Sequence, residues 1–340
     1  MMDIYIIDAN IDYDSWRSFV IAHPNGNYFQ LPENFNFLKN IPSYSPFVFA
    51  AISSSTKSIV GILSGVIQKE DSFYGSLTAR SIIWGGPLVE DNSTSIARLL
   101  IEQYDQEIGK KVIYSQFRNL FESRWLIEPF EACNFEYTEH LNYLVKTNNR
   151  SKEEITKNLS SSKARQIKKA LQTATIVEAT SEDEVNKLYS LLKTLYTQKV
   201  KKPLPPKIFF IDFFHVICHQ GLGKILLIKT NGNIIGGIVC PLFPGKAIYE
   251  WYIVGLDKEF KNNYPSILAT WAAIEIAYEH NLEHFDFLGA GKPNDDYGVR
   301  EFKEKFGGQL VSHGRFEKVH KPILMKIGRW GLYFYKKLMR

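Results

Sequence analysis

Apolar and polar positions follow one another along this chain in an order that occurs twice. From Lys224, KILLIKTNGNIIGGIVC is an apolar run, a polar turn at Asn231 and Gly232, and a second apolar run. That pattern predicts two strands joined by a tight hairpin, because an Asn-Gly pair readily takes positive φ angles. AIYEWYIVG predicts a third strand. In SILATWAAIEIAYEH, Ile267, Trp271, Ile274 and Ala277 or Tyr278 recur at steps of three and four, which predicts an amphipathic helix opened by Pro265 and Ser266. HFDFLG returns as a strand. Earlier, PFVFAAISSSTKSIVGILSGVI, ARSIIWGGPLV, SIARLLIEQYDQEIG and KVIYSQF give the same succession of strand, turn, strand, strand, helix and strand. Val60-Gly61 answers Ile235-Gly236 and Trp84 answers Trp251, so the chain reads as a structural duplication.

Between the copies, LSSSKARQIKKAL predicts a short helix with serine caps. Ala164, Ile167 and Leu171 share one face, with Lys163, Arg165, Lys168 and Lys169 around the rest. SEDEVNKLYSLLKTLYTQ predicts a longer helix whose acidic first turn suits the positive end of the helix dipole. KVKKPLPPK then reads as a basic loop stiffened by proline. Charge runs on helices are commonly solvated faces; lysines in a rigid loop are better placed to meet a ligand.

A length of 340 residues corresponds to roughly two domains of about 150 residues each. The division expected is 1–145 for the first unit, 146–320 for the second and 321–340 for a terminal helix. With 45% hydrophobic and 23% charged residues the chain can bury an ample core, which excludes a disordered protein. Cys133, Cys218 and Cys240 form no pair at CxxC or metal-ligand spacing, and an odd count gives no disulfide framework, so a reducing cytosolic compartment is expected. No secretory signal is visible at the amino terminus, and no apolar window approaches the ~18 residues of a spanning helix. The net charge of +5 permits polyanionic partners without demanding them. HExxH, HxH and GxSxG patterns are absent, so metal or serine-hydrolase chemistry has no support in the sequence.

A helix that follows a strand in a mixed sheet offers its amino-terminal NH groups to an anion. In the GNAT acetyltransferase superfamily a glycine-rich turn at this place cradles the pyrophosphate of coenzyme A. The corresponding turn here, EFKNNYPSILA, has no glycine, and Pro265 removes a donor. Several further stretches complete the pattern: GNYFQLPENFNFLKN, IIWGGPLVED, LNYLVKT, SSSKARQIKKA, YPSILATWAAIEIA, FDFLGAG and VREFKEKFGG. Together they resemble the Fem (FemABX) family of aminoacyltransferases, which build peptidoglycan interpeptide bridges from aminoacyl-tRNA. The resemblance covers nearly the whole chain, and the Phe-Lys pair followed by Phe-Gly-Gly is its most specific element. The chain departs from the family in lacking the long helical hairpin of some members and in carrying KVKKPLPPK where several have an arginine-containing segment.

The resemblance implies an α/β protein of two tandem GNAT-like subdomains, each a mixed sheet flanked by helices. It makes Phe302 and Lys303 the catalytic pair, the lysine stabilising negative charge as the acceptor amine attacks the aminoacyl ester. Lys39 resembles a family lysine that contacts the acceptor's diphosphate; an exposed helix lysine is the plainer alternative. Asp286, Lys292, Asp295, Asp296, Tyr297 and Arg300 are read as cleft residues of the connecting loop, and Tyr252 as the cleft-facing neighbour of Trp251. Glu250 is either a general base on that face or a solvent-exposed carboxylate of an edge strand. A capped helix start with a solvated Lys303 is the structural alternative to the catalytic reading.

The expected donor is charged tRNA, its phosphates meeting Lys163, Arg165, Lys168, Lys169 and the loop from Lys199 to Lys207, with no dissociable cofactor. The expected acceptor is an amine of a cell-envelope precursor, free or lipid-linked, bound between the subdomains. An acyl-CoA-dependent N-acyltransferase acting on surface polysaccharide and a silent binding module remain the alternatives. In PILMKIGRWGLYFYKKLMR, Ile323, Ile327, Trp330, Phe334 and Leu338 share a helical face opposite Lys326, Arg329, Lys336, Lys337 and Arg340. Such a helix either lies on the inner face of an anionic membrane or packs on the protein.

Overall fold

The computed structural model describes residues 4–8, 10–69, 78–295 and 298–327. Its backbone forms two sheets, and the chain divides into two units: Met1–Glu139 together with His313–Arg340, and His140–Ser312.

The first unit opens with β1 (Ile4–Asp8), α1 (Tyr13–Ala22) and α2 (Pro32–Lys39), the last begun by a proline at its first turn, where a missing N–H is harmless. β2 (Tyr44–Ser53), β3 (Ile59–Gln68), β4 (Arg80–Trp84) and the short β5 (Leu88–Val89) precede α3 (Thr94–Ile108). β6 (Tyr114–Arg118), α4 (Ile127–Ala132) and β7 (Glu136–Thr138) follow. The strand order is β1-β2-β3-β4-β6-β16-β7, where β16 is Arg315–Val319, reached only after the second unit. α3 presents Ile96, Leu100, Ile101 and Tyr104 to a core of Phe47, Phe49, Leu63 and Phe117. Phe316 of β16 closes that core, stacked on Phe130 with ring centroids 4.0 Å apart.

The second unit begins with β8 (Leu141–Lys146), α5 (Lys152–Asn158), α6 (Ser161–Ala170), β9 (Thr175–Glu178), α7 (Glu182–Leu195) and α8 (Lys207–Asp212). β10 (Gly223–Thr230) and β11 (Asn233–Phe243) form the expected hairpin, with φ of 49° at Asn231 and 77° at Gly232. β12 (Ala247–Tyr249), β13 (Tyr252–Gly255), α9 (Pro265–Glu279), β14 (His284–Asp286), α10 (Gly298–Glu304) and β15 (Gln309–Ser312) complete it. The strand order is β15-β8-β14-β12-β11-β10-β9, with β13 paired to β11.

The duplication is visible in the pairing. β4 runs parallel to β6, while β5 turns back onto β3. In the same way β12 runs parallel to β14, while β13 stays with β11. Gly61 faces Val89 where Gly236 faces Gly255. Each unit is thus a mixed sheet whose central strand splits before a long helix.

Three expectations change. The unit boundary falls at 139/140 instead of 145/146, because β8 pairs with β14 and β15 of the second sheet. Residues 313–320 leave the second unit, since β16 pairs with β6 and β7. α9 is buried on almost every side, including Leu268, Ala269, Thr270, Ala272 and Ala273, and so is a core helix instead of an amphipathic one. Residues 322–327 are helical; 328–340, with Trp330, Phe334 and Leu338, lie outside the described residues.

Candidate active site

The split strand of the second unit creates the site. Glu250 still reaches β14, its N–H donating to Asp286 O at 2.9 Å, whereas Trp251 N–H donates to Val239 O on β11 at 3.1 Å. Beyond that point β13 follows β11 alone, and β14 ends at Asp286. The carbonyls of Phe287 and Gly289, just past the end of β14, therefore lack a strand partner. Lys303, projecting from α10, supplies the donors: Nζ lies 2.8 Å from Phe287 O and 3.0 Å from Gly289 O. Its third neighbour is Glu250 Oε1 at 3.1 Å, while Glu250 Oε2 accepts from Thr270 Oγ1 at 3.4 Å. All three N–H bonds of the ammonium are thus engaged.

Neither side chain of this pair is solvated: Lys303 and Glu250 are each only 8% exposed. The exposed-carboxylate alternative for Glu250 and the solvated alternative for Lys303 are both overturned, because the strand split folds the two inward. Burial pushes the Glu250 carboxyl above the ordinary carboxylate range, against the opposing pull of Lys303 and Thr270, and nearby Asp286 adds to the rise.

Asp286 is a strand end and fully buried, not a loop residue. Its Oδ1 accepts from Asn142 Nδ2 at 2.8 Å and Leu288 N at 2.6 Å, and Asn142 Oδ1 accepts from Gly289 N at 2.8 Å. These bonds hold Leu288, at φ 55°, and the glycine after it in the bend that carries the two carbonyls to Lys303. Oδ2 of Asp286 has no hydrogen-bond donor among the described residues. Arg300 does not line the cleft; its guanidinium binds the carbonyls of Ala290, Lys292 and Pro293 and clasps the connecting loop. Lys292 and Asp295 are exposed on that loop, and Asp296 and Tyr297 lie outside the described residues. Tyr252 is half-buried among Phe209, Phe210 and Tyr196, with centroids 5.2 to 6.3 Å away.

The Phe-Gly-Gly element has a steric reason. Gly307 has φ 75°, and a Cβ there would sit 2.2 Å from Asn158 O at the end of α5. Phe302 packs on Phe306 with centroids 5.3 Å apart. The ammonium of Lys163 lies over Phe302 at 4.1 Å and over Phe306 at 5.3 Å. Lys163 is therefore buried, 6% exposed, and leaves the basic surface to which the sequence assigned it; Arg165, Lys168 and Lys169 remain exposed, as do Lys199, Lys201, Lys202 and Lys207.

At α9 the anion position is already filled. Tyr264 takes φ 43°, Pro265 has no N–H, and Asp257 accepts from Ser266 N at 3.1 Å and Ser266 Oγ at 2.5 Å. The carboxylate occupies the place a phosphate would need.

In the first unit, two of the quoted stretches join. Gln30 Nε2 donates to Ser64 O at 2.8 Å and Trp84 O at 2.7 Å, and Asn27 Nδ2 donates to Gly85 O at 2.8 Å. Lys39 is exposed at the end of α2. Asn142, Thr270 and Asp257 were missed in the sequence; Asn142 stands inside the quoted LNYLVKT and Thr270 inside YPSILATWAAIEIA, whereas nothing local marks Asp257.

Among the described residues no group of three or more His, Cys, Asp or Glu side chains could hold a metal ion, and no helix is long and apolar enough to cross a membrane.

Residues 158–304 match the family model described as an acetyltransferase (GNAT) domain. No curated protein sequence matches the chain. Among solved structures, FemX superposes with a TM-score of 0.72 at 14% identity, covering 94% of this chain and 99% of that one. A tandem GNAT protein from the clavulanic acid biosynthesis pathway gives 0.59 at 11% identity, over 94% and 99% of the two chains. The C-terminal domain of a putative lysylphosphatidylglycerol synthetase from Agrobacterium fabrum gives 0.56 at 10% identity, over 91% of each.

Proposed function

We propose that this GNAT-fold acyltransferase, Fem-like in architecture, moves an aminoacyl group from aminoacyl-tRNA to an amine of a peptidoglycan or other cell-envelope precursor. The observation that carries the reading is the charge set around Lys303. Glu250 Oε1 lies 3.1 Å from Lys303 Nζ, the buried Asp286 carboxyl lies near Glu250, and Asp286 Oδ2 has no donor among the described residues. Such a set favours an added cation, and an aminoacyl donor and an amine acceptor each bring one; a plain acyl thioester brings none. The filled anion position at α9 also speaks against coenzyme A.

In the proposed reaction the acceptor ammonium first gives a proton to Glu250, whose affinity for it is raised by burial. The freed amine attacks the ester carbonyl, and a C–N bond forms as the carbonyl π electrons move onto oxygen. Protonation weakens the hold of Glu250 on Lys303, so one N–H turns to the oxyanion, where it is worth more than in the ground state. The tetrahedral centre collapses, the C–O bond to the ribose breaks, and the second amine proton goes to the leaving oxygen. Product is an amide and uncharged tRNA. Phe302 positions Lys303 by packing on Phe306.

Arg165, Lys168 and Lys169 with the Lys199–Lys207 loop supply the exposed cations for the RNA backbone. Lys39 is assigned to the acceptor's phosphates. The reaction takes place on the cytoplasmic side of the membrane. Ile323 is 73% exposed and Ile327 61%, beside exposed Lys326, which supports contact between residues 322–340 and an anionic surface that carries a lipid-linked acceptor.

The test is a pair of turnover assays with envelope-precursor extracts as acceptor, one supplied with a pool of charged tRNAs and the other with a panel of acyl-CoA thioesters. Transfer from charged tRNA, reduced about 100-fold or more in kcat by Lys303→Ala, supports the reading. Transfer from acyl-CoA alone overturns it in favour of a polysaccharide N-acyltransferase.

A further inference from the structure

The amino end of α6 differs from that of α9 in every respect that matters to an anion. α6 is ten residues long, and its first-turn amides at Ser161 and Ser162 have no acceptor among the described residues. Ser160 caps the helix through Lys163 N at 3.3 Å, and its own N–H is spent on Lys305 O at 3.0 Å, which fixes the α10 end of the chain directly beneath the cap. Lys163, third residue of the helix, projects back toward that end, since helical side chains lean to the amino terminus. Its ammonium rests on Phe302 and Phe306 and makes no hydrogen bond or ion pair among the described residues.

Burial of the Lys163 side chain to 6% exposure carries a desolvation cost, although Nζ itself is not sealed from solvent and has no protein partner among the described residues. Cation–π contact offsets part of that cost and leaves the hydrogen-bonding capacity unused. Exposed Lys305 brings a second positive charge close by, and Asp257 is the acidic group that faces it. Burial first, then Lys305, brings the Lys163 pKa down to about 8, with Asp257 pulling the other way.

Resting on the tRNA-donor reading above, we infer that the amino end of α6, with the Ser161 and Ser162 amides and the ammoniums of Lys163 and Lys305, binds a phosphodiester of the donor's single-stranded RNA end. The phosphate position has thus moved from α9, where Asp257 fills it, to α6. Lys163 lies over the ring of Phe302, the neighbour of Lys303, so the phosphate it holds registers the aminoacyl ester near the reacting pair. Lys163 is a positioning residue, not one that touches the reacting atoms.

The probe is a 5′-phosphorylated CCA ribotrinucleotide, titrated against the full chain beside coenzyme A, with charged tRNA used for kinetics. Lys163→Met, which keeps an unbranched apolar packing partner for the two rings, is expected to weaken trinucleotide binding about tenfold, to lower the salt slope by about one and to raise KM for charged tRNA with kcat nearly unchanged. Lys163→Arg is expected to restore binding. Should Lys163→Met fold poorly, the exposed Lys305→Met carries the same expectation at about threefold. Unchanged binding in a folded Lys163→Met or in Lys305→Met overturns the inference, and so does coenzyme A binding that depends on Lys163. Trinucleotide binding through Lys163 without any transfer from charged tRNA would sink the proposed reaction and leave the site standing; transfer with Lys163-independent binding would do the reverse.

Discussion

Nζ of Lys303 stands 3.1 Å from Oε1 of Glu250, each side chain under a tenth exposed, at the point where β12 and β13 part. Two ions drawn from water are held there by each other, by two main-chain carbonyls and by Thr270. Removing either partner leaves an uncompensated buried charge.

Glu250→Ala is therefore expected to destabilise the second unit by about 3–5 kcal/mol, read as a shift in the urea midpoint. A Glu250→Met, Lys303→Met double substitution recovers most of that loss, because it removes both desolvation penalties together, yet stays inactive. Recovery of activity would show that the pair serves packing alone.

The raised proton affinity of Glu250 predicts an acid limb in kcat/KM lying above the usual carboxylate range, since the base works only when deprotonated. Glu250→Gln should flatten that limb while lowering kcat about 100-fold. A limb that survives in Glu250→Gln belongs to another group.

His320 offers a pH test in the first unit. Its Nε2 lies 2.7 Å from Ser115 Oγ, which also accepts from Tyr104 Oη at 2.5 Å, and Nδ1 is 3.7 Å from Asp105 Oδ1. Burial lowers its pKa below 6.5 despite Asp105, so the unfolded chain binds the extra proton first. The contribution is complete above about pH 6.5 and is lost as pH falls through the folded value. Urea midpoints should drop between pH 7 and 5, and less so in His320→Gln.

Lys163 has the same sign at higher pH. Its folded value of about 8 lies below the ordinary lysine value of 10.5, so stability attributable to it rises with pH between those values. Lys163→Met should remove that rise, measured by denaturant titration at pH 7.5 and 10.

Gly307→Ala places a Cβ 2.2 Å from the Asn158 carbonyl oxygen at φ 75°. A loss of about 1–3 kcal/mol is expected, with kcat falling because Phe306 and α10 must shift. An unchanged melting temperature would refute the steric account of the Phe-Gly-Gly element.

The elements were legible where local pattern decides them: Asn231-Gly232 could hardly be anything but a hairpin, and Ser160 with its following serines marked the start of α6. Their partners were not. RFEKV alternates weakly, and nothing in it says that β16 joins β6, nearly two hundred residues earlier. Glu250 and Lys163 read as solvated because both are charged, even though Glu250 stands among Ile248, Tyr249, Trp251 and Tyr252. Their burial depends on where a strand splits and where two phenylalanines of α10 and its following turn come to lie, which are properties of the assembled sheet.

The return of β16 to the first sheet also bears on how the nascent chain folds. At about 5–20 residues per second, the ribosome spends on the order of ten seconds or more making the unit that intervenes. Throughout that interval β6 has a bare edge, β7 has no neighbour, and the slot beside Phe130 stands empty. The amino-terminal half is thus born unfinished and open to pairing with other chains until Phe316 arrives. Fresh polypeptide should engage chaperones through β6, and release from them should follow completion of the last strand instead of the first domain's nominal end.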